Sequence, residues 1–112
     1  MEIVERKHGN VLTLSLRGRL DLSSSRAVEE KILSSIDAGE HRLLLDLAGL
    51  DYVSSIGLRV LVLAAKRLKP VGGRLATCAL QPAIAKIFEI AGLGSVLLVR
   101  ATREEAESEL AG

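Results

Sequence analysis

LLLDLAGLDYVSSIGLRVLV, residues 43–62, changes character twice. Leu43, Leu44 and Leu45 form the continuous apolar run expected of a central strand buried on both faces, and Asp46 closes it. From Leu58 onward the apolar residues change period. Leu58, Leu61, Val62, Ala65 and Leu68 fall at i, i+3, i+4, i+7 and i+10, the stripe of an amphipathic helix. Between the two lies a polar break, Ser54-Ser55-Ile56-Gly57. When strands and helices alternate, binding sites form where the C-terminal ends of strands meet helix N-termini. Fold and function therefore turn on the same few residues.

The flanking sequence fits this alternation. EIVERKHGNVLTLSLRG reads as two strands joined at Gly9-Asn10, with Leu12, Leu14 and Leu16 alternating with Thr13 and Ser15, and Gly18 ending the run. Asp21 and a serine cluster then open a helix in which Val28, Ile32 and Ile36 face one way, and Gly39 stops it. After the central helix, Lys66, Arg67 and Lys69 suit a helix C-terminus, and Pro70 with Gly72-Gly73 ends it. RLATCAL reads as a strand. QPAIAKIFEIAGLG reads as a helix with Pro82 in its first turn and Ile84, Ile87, Phe88 and Ala91 on one face. SVLLV is a last strand, and TREEAESEL a closing helix capped by Thr102. The order β-β-α-β-α-β-α-β-α predicts one α/β domain over residues 1–112, a mixed, mostly parallel sheet of about five strands with about four helices and right-handed crossovers.

Composition excludes several functions. A chain of 112 residues with 48% hydrophobic and 26% charged residues supports one core. Fifteen Lys and Arg against 14 Asp and Glu give no bulk charge for nucleic acid or an anionic membrane, and Tyr52 and Phe88 are too few to stack bases. Cys78 is the single cysteine and reads as a buried small hydrophobe. The charged start MEIVERKHGN lacks an export signal and no apolar run spans a bilayer, so a cytoplasmic protein is expected.

Catalytic readings fare poorly. Ser55-Ile56-Gly57 matches half of a nucleophile elbow, but Val53 stands where that motif needs glycine. His8 and His41 lie in or beside strands with no evident route to Ser55. No Gly-x-Gly-x-x-Gly or phosphate-loop pattern occurs, and two distant histidines with one cysteine make no metal site. A binding or switching module without cofactor or metal remains.

Within such a module the serines carry two readings. One of Ser54 and Ser55 caps the helix, and capping alone accounts for a serine there. A phosphoryl group at the same place would meet free backbone N–H groups and add about −1.5 to −2 charges. Gly57 removes a side chain beside the hydroxyl, which would ease approach by another protein. Asp21, Asp46 and Asp51 either satisfy turns or, if their loops converge, place carboxylates near Ser55. The helical stripe directs Leu58, Leu61, Val62 and Ala65 inward, leaving Arg59, Val60, Leu63 and Ala64 as an exposed strip for a partner.

RGRLD (17–21), LLLDLAGLDYVSSIGLRVLV, IAKIFEIAGLGSVLLV (84–99) and EEAESEL (104–110) together resemble the STAS domain, and more narrowly the bacterial anti-sigma factor antagonists, over essentially the whole chain. The resemblance implies a non-enzymatic partner switch. The unphosphorylated antagonist binds an anti-sigma factor that is also a serine kinase, phosphorylation releases it, and a metal-dependent serine phosphatase resets it. Ser55, two before Gly57, matches the phosphoacceptor, with Ser54 a minor candidate. Asp21 and Asp46 match the family's aspartates after the second strand and at the end of the central one. The family's aspartate-serine-serine-glycine is changed here, Ser54 replacing the aspartate and Ile56 the second serine. The expected partner surface comprises Asp21, Asp46, Ser54, Ser55, Gly57, Arg59, Val60 and Leu63, on a monomer that contacts neither nucleic acid nor membrane. Two alternatives stay open: a constitutive STAS subunit of a transport or sensory complex, with Ser55 only a cap, and a domain binding a small ligand or nucleotide.

Overall fold

The computed structural model describes residues 1–112. Its N-terminal hairpin pairs β1 (Glu2–His8) antiparallel to β2 (Val11–Leu20), from Glu2 opposite Arg17 to His8 opposite Val11. β2 then does two jobs along its other edge. Its first half pairs parallel with β3 (Arg42–Asp46), Leu12 to Leu43 through Ser15 to Asp46. Its last residues pair parallel with β4 (Leu50–Val53), ending at Leu20 opposite Val53. The change of partner occurs at a bulge. Gly18 sits at φ +113°, accessible to glycine without strain, and its N–H donates to Gly49 O at 2.9 Å. Gly18 therefore bends the strand without ending it, contrary to the sequence reading.

β5 (Arg74–Cys78) pairs parallel with β3, and β6 (Leu98–Arg100) with β5, giving the order β1-β2-β3-β5-β6 with β4 attached to β2. The helices are α1 (Leu22–Asp37), α2 (Ser55–Leu68), α3 (Pro82–Ala91) and α4 (Arg103–Ala111). The mixed, mostly parallel sheet and four helices agree with the expected class. The strand β4 was absent from that expectation, and the last strand is shorter than SVLLV, because Leu93–Ser95 form a 3₁₀ turn.

Strand alternation divides the core into two layers. Leu12, Leu14 and Leu16 of β2, Leu43 and Leu45 of β3, and Leu75 of β5 pack with Val28, Ile32 and Ile36 of α1, Leu61 and Leu68 of α2, and Ile84 and Phe88 of α3. On the opposite face Val11, Leu44, Ala76 and Cys78 meet Ala106 and Leu110 of α4 alone. β3 is thus covered on both faces, as its leucine run requires. Each buried leucine contributes about 1.5–3 kcal/mol by leaving water. α4 is also tied by Arg100 and Arg74 to Glu109, and by Arg42 to the carbonyl of Leu110. Arg100 holds the Glu109 carboxyl below its usual range.

Candidate functional site

The parallel register of Leu20 with Val53 brings two helix entries side by side, because α1 begins two residues after Leu20 and α2 two after Val53. The seam is closed by Ser54 N–H donating to Leu20 O at 2.9 Å.

Asp21 is the N-cap of α1. Its Oδ1 accepts the Ser23 N–H at 3.0 Å and the Ser23 hydroxyl at 2.7 Å. Ser24 completes a capping box, its hydroxyl accepting the Asp21 N–H at 3.0 Å and donating to Arg19 O at 2.6 Å. The Ser23 hydroxyl, its backbone N–H and the Arg19 guanidinium hold the Asp21 carboxyl below its ordinary 3.8, against some opposing desolvation.

The two serines of α2 separate cleanly. Ser54 is the N-cap, with extended backbone, its Oγ accepting the Gly57 N–H at 3.1 Å and its carbonyl accepting Leu58 N–H at 2.9 Å. Ser55 is the first helical residue; it is exposed, and its hydroxyl makes no intramolecular hydrogen bond. Gly57 is buried against the sheet. A Cβ there would lie 2.8 Å from both Leu20 Cγ and Leu20 O and 3.0 Å from Val53 Cγ2. Its lack of a side chain lets α2 seat on the seam, so the expected role in easing a partner's approach is corrected.

Seating α2 on Gly57 sets the phase of the helix. The buried positions are Gly57, Val60, Leu61, Ala64 and Leu68. Val60 is 4% exposed and Ala64 1%, so the expectation that both are open to a partner fails. Leu58, Val62 and Ala65, expected to point inward, are half-buried at the edge of the core. Arg59 is exposed as expected, and Leu63 half-buried. A groove of about 540 Å³ runs between α1 and α2, with Val60 and Leu63 in its lining and Ser25, Arg26, Glu29, Ile56, Arg59 and Lys66 around them.

The aspartates do not all converge. Asp21 reaches the serine seam through the β2–β4 pairing. Asp46 bonds instead to the Ala48 N–H at 3.1 Å, within its own turn. Asp51 accepts from Gln81 Nε2 at 3.4 Å, and that amide also donates to Ala48 O. Asp46, ending β3, thus serves the β3–β4 turn, and Asp51, within β4, meets Gln81 at the entry of α3; neither is hydrogen-bonded to Ser54 or Ser55. His8 and His41 precede β2 and β3, at the opposite end of the strands from Ser55.

One feature of the seam escaped the sequence reading. Leu22 is 75% exposed, Tyr52 40% and Ile56 41%, and chain connectivity places all three at the paired helix entries. The Arg19 guanidinium lies 4.1 Å above the Tyr52 ring while its Nε pairs with Asp21 at 3.6 Å. Three large apolar side chains are thus left open to solvent at the two helix entries.

Comparison with known proteins places this geometry. The STAS domain model matches residues 2–106. BtrV of Bordetella bronchiseptica, named as a candidate anti-sigma factor antagonist, is 39% identical over 106 residues, covering 95% of this chain and 91% of that protein. A candidate anti-sigma factor antagonist from Thermotoga maritima superposes with a TM-score of 0.93 at 17% identity, covering 98% and 95% of the two chains. The anti-sigma factor antagonist SpoIIAA in its unphosphorylated form superposes at 0.79 with 21% identity over 99% of both. Its phosphorylated form, from Bacillus, gives 0.77 at 23% over 97% and 99%. By sequence the chain belongs to the STAS domain family, in its branch of anti-sigma factor antagonists, and these solved structures share its fold.

Proposed function

We propose that this chain is a partner-switching regulator, whose unphosphorylated form binds an anti-sigma factor with serine kinase activity and whose phosphorylation at Ser55 ends that complex. One observation carries the reading. Ser54 does the capping, which leaves the neighbouring Ser55 hydroxyl exposed and uncommitted. Capping therefore does not account for Ser55, and its hydroxyl stays open to solvent and to a kinase. SpoIIAA, which shares the fold, has a phosphorylated form.

In the transfer, Ser55 Oγ attacks the γ-phosphorus of ATP held by the kinase. The bond from that phosphorus to the β–γ bridging oxygen breaks, ADP leaves, and the hydroxyl proton passes to a base of the kinase. The product carries about −1.5 to −2 charges at neutral pH beside the exposed Ile56, and an apolar partner surface docking there would have to desolvate it. Asp21, Ser54, Arg59 and Leu63 frame the docking face; Asp46 contributes from the adjoining turn. A serine phosphatase restores the hydroxyl by hydrolysis. The chain itself is a cytoplasmic monomeric binding protein and not an enzyme, with no nucleic acid or membrane contact.

The test is intact mass after incubation with ATP and a serine kinase/anti-sigma factor of the same genome, with binding measured before and after. Wild type and Ser54→Ala should each gain one phosphate and lose affinity, and Ser55→Ala should gain none and stay bound. Phosphate on Ser55→Ala would move the acceptor elsewhere. Tight binding without phosphate on any form would make the chain a constitutive binding subunit.

A further inference from the structure

The kinase product raises a question about its counter-ion. α2 carries no acidic residue anywhere along SIGLRVLVLAAKRL, so its cations have no partner on their own helix. Arg59 is exposed and has no carboxylate within 4.0 Å, unlike Arg19 and Arg26, which pair with Asp21 and Glu30. It stands four residues after Ser55, and side chains at i and i+4 lie one turn apart on one helix face, about 5–6 Å between Cβ atoms. The Ser55 hydroxyl, for its part, is committed to nothing.

We infer that Arg59 is the built-in counter-ion of phosphorylated Ser55: its guanidinium takes two phosphate oxygens as a fork and draws the group along α2 towards the α1–α2 groove. This rests on Ser55 as the acceptor and adds what becomes of the phosphate. The rest of the neighbourhood leaves Arg59 to that task. Across the groove α1 presents Arg26, already paired, and Glu29, the one acid of the lining, which makes no ion pair. A dianion one turn away outcompetes a single carboxylate for the same guanidinium. Asp21, at the entry of α1, is occupied by Ser23 and Arg19. Lys66 lines the groove further along, two turns beyond Arg59. Phosphorylation thereby changes two things together: it adds charge at Ser55 and removes the free cation from the groove wall, so a partner that used Arg59 loses it.

The experiment needs no kinase. Phosphoserine is installed at position 55 during translation, so its outcome is independent of whether any kinase modifies the chain. The second ionisation of the phosphate is followed by phosphorus NMR against pH at low salt, in the otherwise wild-type chain and in Arg59→Ala, Arg59→Lys and Lys66→Ala. Because Arg59 is exposed, its removal leaves the core intact. The expected result is a phosphate pKa about 0.3 unit higher in Arg59→Ala, the size of one exposed i,i+4 pair, with partial rescue by lysine, no change in Lys66→Ala, and loss of the difference at high salt. Equal titration of the wild type and Arg59→Ala would overturn the inference. So would equal shifts in Arg59→Ala and Lys66→Ala, which would mean a general field and not a specific pair.

Discussion

Replacing Gly57 by alanine isolates the contact that seats α2. In most helices this change is favourable by up to about 1 kcal/mol, because alanine loses less backbone entropy. Here the new methyl would lie 2.8 Å from Leu20 O and Leu20 Cγ and 3.0 Å from Val53 Cγ2. The leucine side chain can give way, but the Leu20 carbonyl cannot move freely, because it accepts the Ser54 N–H. Overpacking of this kind costs about 1–3 kcal/mol. Lifting the first turn also strains the Ser54 Oγ bond to Gly57 N–H, a cap worth about 1 kcal/mol. The balance is a net loss of about 1–3 kcal/mol, or about 4–12 °C in melting temperature for a chain of this size. Thermal and urea unfolding followed by circular dichroism would measure it. Adding Ser54→Ala to Gly57→Ala should cost less than in the wild type, since the cap is already weakened. If Gly57→Ala melts at or above the wild type, helix propensity outweighs the contact and the seating argument is wrong.

Ser54→Ala should destabilise by about 1 kcal/mol and Ser55→Ala by less than about 0.5 in urea unfolding; the reverse ranking would reassign the cap. Val60→Asp should cost on the order of 4 kcal/mol by burying a charge, whereas Arg59→Asp next to it should stay within about 0.5, a contrast that thermal melts would show and that equal losses would refute. Burial pushes the Cys78 thiol from 9.0 up to about 12. The native chain then holds a proton that the unfolded chain releases, so this contribution is intact below about pH 9 and lost as pH rises towards 12. Urea midpoints should bring wild type closer to Cys78→Ala by about 2 kcal/mol on going to about pH 10.5, and an unchanged gap would contradict the burial of the thiol.

The parts legible in the sequence were those where pattern and chemistry agreed. The triple leucine could only be a strand covered on both sides, Thr102 stood where a cap was needed, and Asp21 stood where α1 begins. β4 was not legible. Its four residues are buried at the ends and exposed in the middle, with no alternation, and they form a strand because β2 continues past Gly18 to offer them an edge. The phase of α2 was equally hidden. Apolar residues occupy every position from Val60 to Ala65, so the stripe has no polar contrast to fix it, and the decision falls to a contact between Gly57 and Leu20 far apart in sequence. Leu22, Tyr52 and Ile56 were missed because a large apolar residue at a helix entry looks like core until its surroundings are known. The serine break was found, but which hydroxyl was free depended on a single backbone N–H.

α4 lies by itself on its side of the sheet, and this has a kinetic consequence. The remaining helices share one continuous core, whereas α4 buries chiefly Ala106 and Leu110 and is otherwise held by Arg42, Arg74 and Arg100, so it is the helix expected to detach first while the strands beneath stay paired. Cys78, wholly enclosed under that helix and unique in the chain, cannot meet a thiol reagent until it does. The rate at which the thiol is labelled in the native protein is therefore a clock for this one movement, and a partner bound at the opposite layer could be asked, through that clock, whether its grip is felt across the sheet.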